Sequence, residues 1–163
     1  MTTPELIDLL RECYTARLAL RQRHVAAAQF VRHYDFNNAY QYIIAREDQH
    51  LEWLQRAILE LGERVSLEDT SPPLRMSETG DAAQARVLRE DAAAAQAFVE
   101  QWRSRIERMT HARHKAMLRV ILGETLEHKR FFEQALAGRE DLLGRRTDGA
   151  TRVGEVLPTR WVE

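Results

Sequence analysis

The chain has 163 residues, the size of a single domain, with 44% hydrophobic and 30% charged residues, a balance that excludes a disordered polymer. Lys and Arg number 24 against 25 Asp and Glu, so no net field recruits nucleic acid or anionic lipid. One cysteine excludes an internal disulfide and any CxxC motif, and 7 Gly with 4 Pro leave few turns for a sheet-rich fold.

No apolar run approaches the ~18 residues that span a bilayer, and the start MTTPELIDLL lacks the basic-then-apolar layout of a signal peptide. A cytoplasmic, all-α domain is expected, with neither membrane nor nucleic acid as partner. Pro4 suits a helix start, and no Gly or Pro follows from Glu5 to about His33. Asp35-Phe36-Asn37-Asn38 reads as a turn and cap, and a second helix then runs to Leu61-Gly62. Residues 63–80 hold Ser71-Pro72-Pro73 and Gly80 and form the one clear loop. A third helix is expected from Asp81 to about Arg108 and a fourth from Thr110 to Ala137-Gly138. The loop can extend to ~59 Å at ~3.3 Å per residue, enough to run the length of a bundle and restart the third helix parallel to the second. The expected division is a four-helix bundle over 1–138, with a long crossover between helices 2 and 3, and an irregular tail over 139–163.

Apolar periodicity in helix 2 runs through Tyr40, Ile43, Ile44, Leu51, Leu54, Ile58 and Leu61, and the same face includes Glu47 and His50. In helix 4 the stripe is Met117, Val120, Ile121, Phe131 and Ala135, interrupted at Glu124 and at either Glu127 or His128. Helix 3 reads through Val87, Ala94, Phe98 and Ile106, with Glu90 between the first two. A buried carboxylate costs several kcal/mol unless it is paired or bound to metal. Acids and imidazoles on the inner faces of three helices therefore point to a shared polar centre. On helix 1 the inward candidates at that depth are Leu20, His24 and Ala27, with no Glu among them.

This combination resembles the ferritin-like superfamily, in its rubrerythrin-like branch of small di-iron carboxylate bundles, over residues 5–137. That pattern takes one Glu from each of two helices and a Glu-x-x-His from each of the other two. Glu47-Asp48-Gln49-His50 matches one such motif, Gly123-Glu124-Thr125-Leu126-Glu127-His128 resembles the second, and Glu90 resembles the single Glu of the third helix. The resemblance implies a metal centre at Glu47, His50, Glu90, Glu124 and His128, with Glu127 in reserve. Its donors suit iron, as a pair or a single ion, with manganese or zinc as competitors. The implied chemistry is that of a ferroxidase or peroxidase, the oxidation of Fe(II) by dioxygen or peroxide.

Two departures qualify it. Thr125 stands where a second Glu-x-x-His would need Glu, and helix 1 offers Arg17, Arg21 or His24 in place of its Glu. An arginine at that level would neutralise the carboxylates without metal, leaving a non-catalytic bundle with a vestigial centre that acts as an interaction or scaffold module. Tyr40 and Tyr42 are read as core packing or as hydroxyls near the centre, and Cys13 as a small buried hydrophobe. His111 and His114 are read as surface or crossover contacts, and Arg17, Arg21 and Arg23 otherwise as a solvated face. Trp53 and Trp102 lie beside the stripes and suit a homodimer interface. The apolar end Val156-Leu157-Pro158-Thr159-Arg160-Trp161-Val162-Glu163 is expected to dock on the bundle, a dimer mate or a partner protein.

Overall fold

The computed structural model describes residues 1–65, 73–140 and 142–143, and these form an all-α four-helix bundle. The helices are α1 (Thr3–Ala28), α2 (Tyr34–Glu60), α3 (Gly80–Glu107) and α4 (Ala112–Leu136), each roughly 37–42 Å long at ~1.5 Å per residue. Their bounds follow from local chemistry. Thr2 caps α1 by accepting from the Glu5 amide, while Glu5 accepts from the Thr2 amide at 2.6 Å, a reciprocal capping box. Gly62 and Gly138 end α2 and α4 in the left-handed region (φ 85° and 80°), where a side chain would be strained.

The first turn lies earlier than the sequence suggests. Asp35-Phe36-Asn37-Asn38 belongs to the start of α2, and the chain reverses over 29–33 instead. Asn37 does not cap its own helix. Its side-chain amide donates to the carbonyls of Ala28 and Val31, each at 3.1 Å, and so closes the end of α1. The turn before α4 is capped by His111 rather than Thr110, through the ring nitrogen accepting from the His114 amide at 3.4 Å.

Ion pairs between helices fix their directions. Glu12–Arg105 and Arg23–Glu90 make α1 and α3 antiparallel neighbours. Glu60–Arg113 and Arg46–Glu124 do the same for α2 and α4. With α1 antiparallel to α2, helices α2 and α3 run parallel on one diagonal and α1 and α4 on the other. Val65 packs against the cluster at one end of the bundle and Leu74 and Met76 against the cluster at the other.

The core divides in two. Leu10, Leu54, Trp102 and Leu118 pack together at one end, and Ala27, Tyr40, Ile43, Val87 and Phe132 at the other. Trp102 is 1% exposed and belongs to the first cluster, so it is core rather than a surface residue awaiting a dimer mate. Leu142 closes the second cluster, whereas the expected docking of residues 156–163 lies outside the described residues. No helix among the described residues is long and apolar enough to cross a membrane.

Candidate functional site

Between the two apolar clusters lies a polar layer. Helix α2 contributes Glu47 and His50, three residues apart and hence on one face, and both are fully buried. Helix α1 contributes Arg17, which is also fully buried and so is not part of a solvated face. Its Nη1 donates to Glu47 Oε1 at 3.2 Å and its Nη2 donates to the Thr125 hydroxyl of α4. Thr125 in turn donates to the Ile121 carbonyl at 2.7 Å. The guanidinium carbon also sits 4.3 Å from the centre of the Phe98 ring of α3. Arg17 thus touches all three other helices.

The second oxygen of Glu47 is taken by His24 Nδ1 at 2.9 Å, so both oxygens of this carboxylate are engaged. Glu124 is set at the edge of the layer, its side chain 22% exposed. Arg46 grips it with two hydrogen bonds of 2.6 and 3.0 Å, and His50 Nε2 approaches it at 2.7 Å. His128 lies inside, nearly parallel to His50 with ring centres 6.3 Å apart. Neither nitrogen of His128 has a hydrogen-bond partner among the described residues, nor do His50 Nδ1 and His24 Nε2.

The structure therefore brings together Glu47, His50, Glu124 and His128, and leaves Glu90 and Glu127 outside. Glu90 points to the rim of the α1–α3 seam, where Arg23 and Arg86 each hold one of its oxygens at 2.8 Å. Glu127 is exposed on α4. The buried acid of α3 is the next residue, Asp91, which accepts from Arg23 Nε and from the Tyr40 hydroxyl, each at 2.5 Å. One residue rotates a helical position by about 100°, enough to exchange rim for core. Tyr40 therefore supports Asp91, while Tyr42 is exposed, with its ring edge-to-face on Phe131. His114 is buried as well, contrary to its reading as a surface contact. Arg21 pairs with Asp48 on the outside.

Charge in this layer is balanced by neighbours. Burial opposes ionisation of Glu47, but His24 and Arg17 hold its carboxyl below the ordinary range. Burial also pulls the Arg17 guanidinium down, against the attraction of Glu47. His24 is raised by Glu47 despite its burial. Burial and the positive charge of Arg17 push His50 down to about 4, while burial, partly opposed by Glu47, takes His128 to about 3, so both are neutral imidazoles at neutral pH. Burial raises the Cys13 thiol to about 12, which makes it an inert core residue.

A di-metal carboxylate centre does not fit this arrangement. The oxygens of Glu47 and Glu124 are already committed to Arg17, His24, Arg46 and His50, so a separate guanidinium stands against each carboxylate. Among the described residues, no three His, Cys, Asp or Glu side chains are grouped so as to hold an ion. Thr125, in the inward position of α4, contributes a hydroxyl where a metal centre would need a carboxylate. Comparison with known proteins finds no family model that matches the chain, and no match among curated proteins.

Proposed function

We propose that this chain is a ferritin-like bundle that works without metal, as a binding or interaction module rather than an iron oxidoreductase. The observation that carries this reading is Arg17. A fully buried guanidinium, bonded to Glu47 and Thr125, supplies the positive charge that iron would otherwise supply. A stranded buried carboxylate is strongly destabilising, so the arginine also accounts for how Glu47 is tolerated in the core.

The test is elemental analysis of the chain expressed in iron-supplemented medium, with melting followed on addition of Fe(II), Mn(II) and Zn(II). Less than stoichiometric metal and an unchanged melting temperature are expected. One or two ions per chain, with a rise in melting temperature, would replace this reading by the oxidoreductase one. The observation favouring that second reading is His128, whose two buried ring nitrogens lack partners among the described residues and are free to coordinate an ion.

A further inference from the structure

The turn between α3 and α4 is held by two histidines that the polar layer does not use. His111 is the N-cap of α4, and its Nδ1 accepts from the His114 amide at 3.4 Å. Only an unprotonated Nδ1 has the lone pair for this bond, so the cap requires the ring form that carries its proton on Nε2. The His114 ring lies against the first, with centres 4.1 Å apart and planes 34° from parallel. His114 is 3% exposed, and neither of its ring nitrogens has a hydrogen-bond partner among the described residues. Burial, His111 and Arg113 hold its pKa below the ordinary histidine value, against the weaker pull of Glu60.

The acids around this end of the bundle are engaged elsewhere. From α2, Glu60 is held by Arg113 at 2.9 Å, and Glu63, just beyond the helix, by Arg11 at 2.6 Å. From α3, Glu107 is held by Arg119 at 2.7 Å and approached by Lys115 at 3.6 Å. Lys115 also donates to the Glu107 carbonyl at 2.6 Å, which ties the first turn of α4 to the end of α3. From α1, Glu5 accepts from the Thr2 amide, and Asp8 and Glu12 stand with Arg105 and Arg108 on the α1–α3 seam. A proton on either ring therefore places positive charge beside a second imidazole, Arg113 and the positive end of the α4 dipole.

We propose that the His111–His114 pair is an acid-operated latch on the α3–α4 turn. Protonation of His111 at Nδ1 turns the cap acceptor into a donor aimed at the His114 N–H, and the first turn of α4 unwinds. That movement withdraws Lys115 from the end of α3. It also uncovers His114 and Met109, which is 4% exposed and belongs to the apolar cluster of Trp102 and Leu118. Once open, His114 regains an ordinary affinity for protons, so the open form is favoured as pH falls below about 6.5. The latch rests on this turn alone and holds whether or not the inner polar layer takes metal.

Hydrogen exchange of the full chain, read by mass spectrometry at about pH 7.5 and about pH 5.5 and corrected for intrinsic rates, tests the latch. At the lower pH the amides of residues 114–118 should lose about tenfold in protection relative to those of 51–58 on α2, which report the bundle as a whole. His111→Asn keeps a cap acceptor that does not titrate, and should hold 114–118 protected at both pH values. His111→Ala has no cap, and should already show the low protection at the higher pH, with little further change in acid. Equal protection of 114–118 at both pH values in the parent, or a loss in His111→Asn as large as the parent's, would overturn the proposal. So would a loss spread evenly over all four helices, since the histidines of the polar layer would then account for the response.

Discussion

Arg17 and Glu47 form an ion pair of 3.2 Å in which neither side chain touches solvent. Such a pair is an exchange of two large quantities, the desolvation of both charges against their attraction in a poorly screened interior. What it adds net is small, but removing one member leaves the other charge buried alone. Thr125, His24 and Phe98 complete the surroundings that make the exchange tolerable.

Arg17→Met should therefore cost about 3–5 kcal/mol of unfolding free energy, measured by urea denaturation. Adding Glu47→Gln removes the stranded charge while keeping an acceptor for His24, so the double variant should be more stable than Arg17→Met alone. A double-mutant cycle without coupling, or an Arg17→Met chain as stable as the parent, would show that the guanidinium does not hold Glu47.

Acid should weaken the fold in two stages. His50 and His128 sit at about 4 and about 3, below the ~6.5 of an unfolded histidine. Between those limits the unfolded chain binds more protons, so stability falls as pH drops from about 6.5 toward 4 and then 3. Glu47 and Glu124, both lowered, add losses below the ordinary carboxylate range. His24 is raised and acts in the opposite sense, its contribution being lost as pH rises through its folded value. His128→Leu should flatten the dependence between pH 6 and 4 and raise stability by about 1–3 kcal/mol, because two unpartnered buried nitrogens disappear. A loss of stability instead would mean that those nitrogens are satisfied in solution, by water or by metal.

Neighbouring acids on α3 should differ sharply. Asp91 is fully buried between Arg23 and Tyr40, and Asp91→Ala strands the buried Tyr40 hydroxyl and leaves Arg23 only Glu90 as a partner, with an expected loss of about 2–3 kcal/mol in thermal or urea unfolding. Glu90 is 39% exposed, and Glu90→Ala should fall within about 1 kcal/mol of the parent. Equal effects would refute the assignment of Asp91 as the inner acid.

Metal binding should be obtainable by exchange of two residues. R17E with T125E removes the guanidinium and supplies carboxylates on α1 and α4 beside Glu47, His50 and His128. The double variant should take up Fe(II) or Zn(II) and melt higher with the ion than without it, while the parent shows no such shift. Failure of a folded double variant to bind either ion would separate this bundle from the di-iron pattern altogether.

The sequence carried the polar layer on α2 in plain form, because Glu47 and His50 interrupt an otherwise continuous apolar stripe and both are buried. On α4 two overlapping stripes compete. Met117, Val120 and Ile121 suggest one phase, yet Val120 is 47% exposed and the buried residues include Leu118, Ile121, Leu122, Thr125, His128 and Phe132. That shift of phase puts Thr125 in the centre and Glu124 at the edge. On α3 the run Ala92-Ala93-Ala94-Ala95 gives no phase, since alanine suits either face, so Glu90 and Asp91 could not be told apart. Arg17 and Trp102 were obscured for a related reason. Charge and size bias a residue outward, and only its partners in three dimensions reverse that bias.

The division of the interior into two greasy halves has a further consequence. Hydrocarbon alone tolerates sliding, because one leucine contact substitutes for another when helices shift by a turn. Here a one-turn slip of the α1–α2 hairpin along the α3–α4 hairpin would carry Arg17 away from Thr125 and Tyr40 away from Asp91, the contacts that lace the two diagonals. Hydroxyls and carboxylates would then face methyl groups, so the same few polar atoms that add little to stability give the bundle a single alignment of its two hairpins.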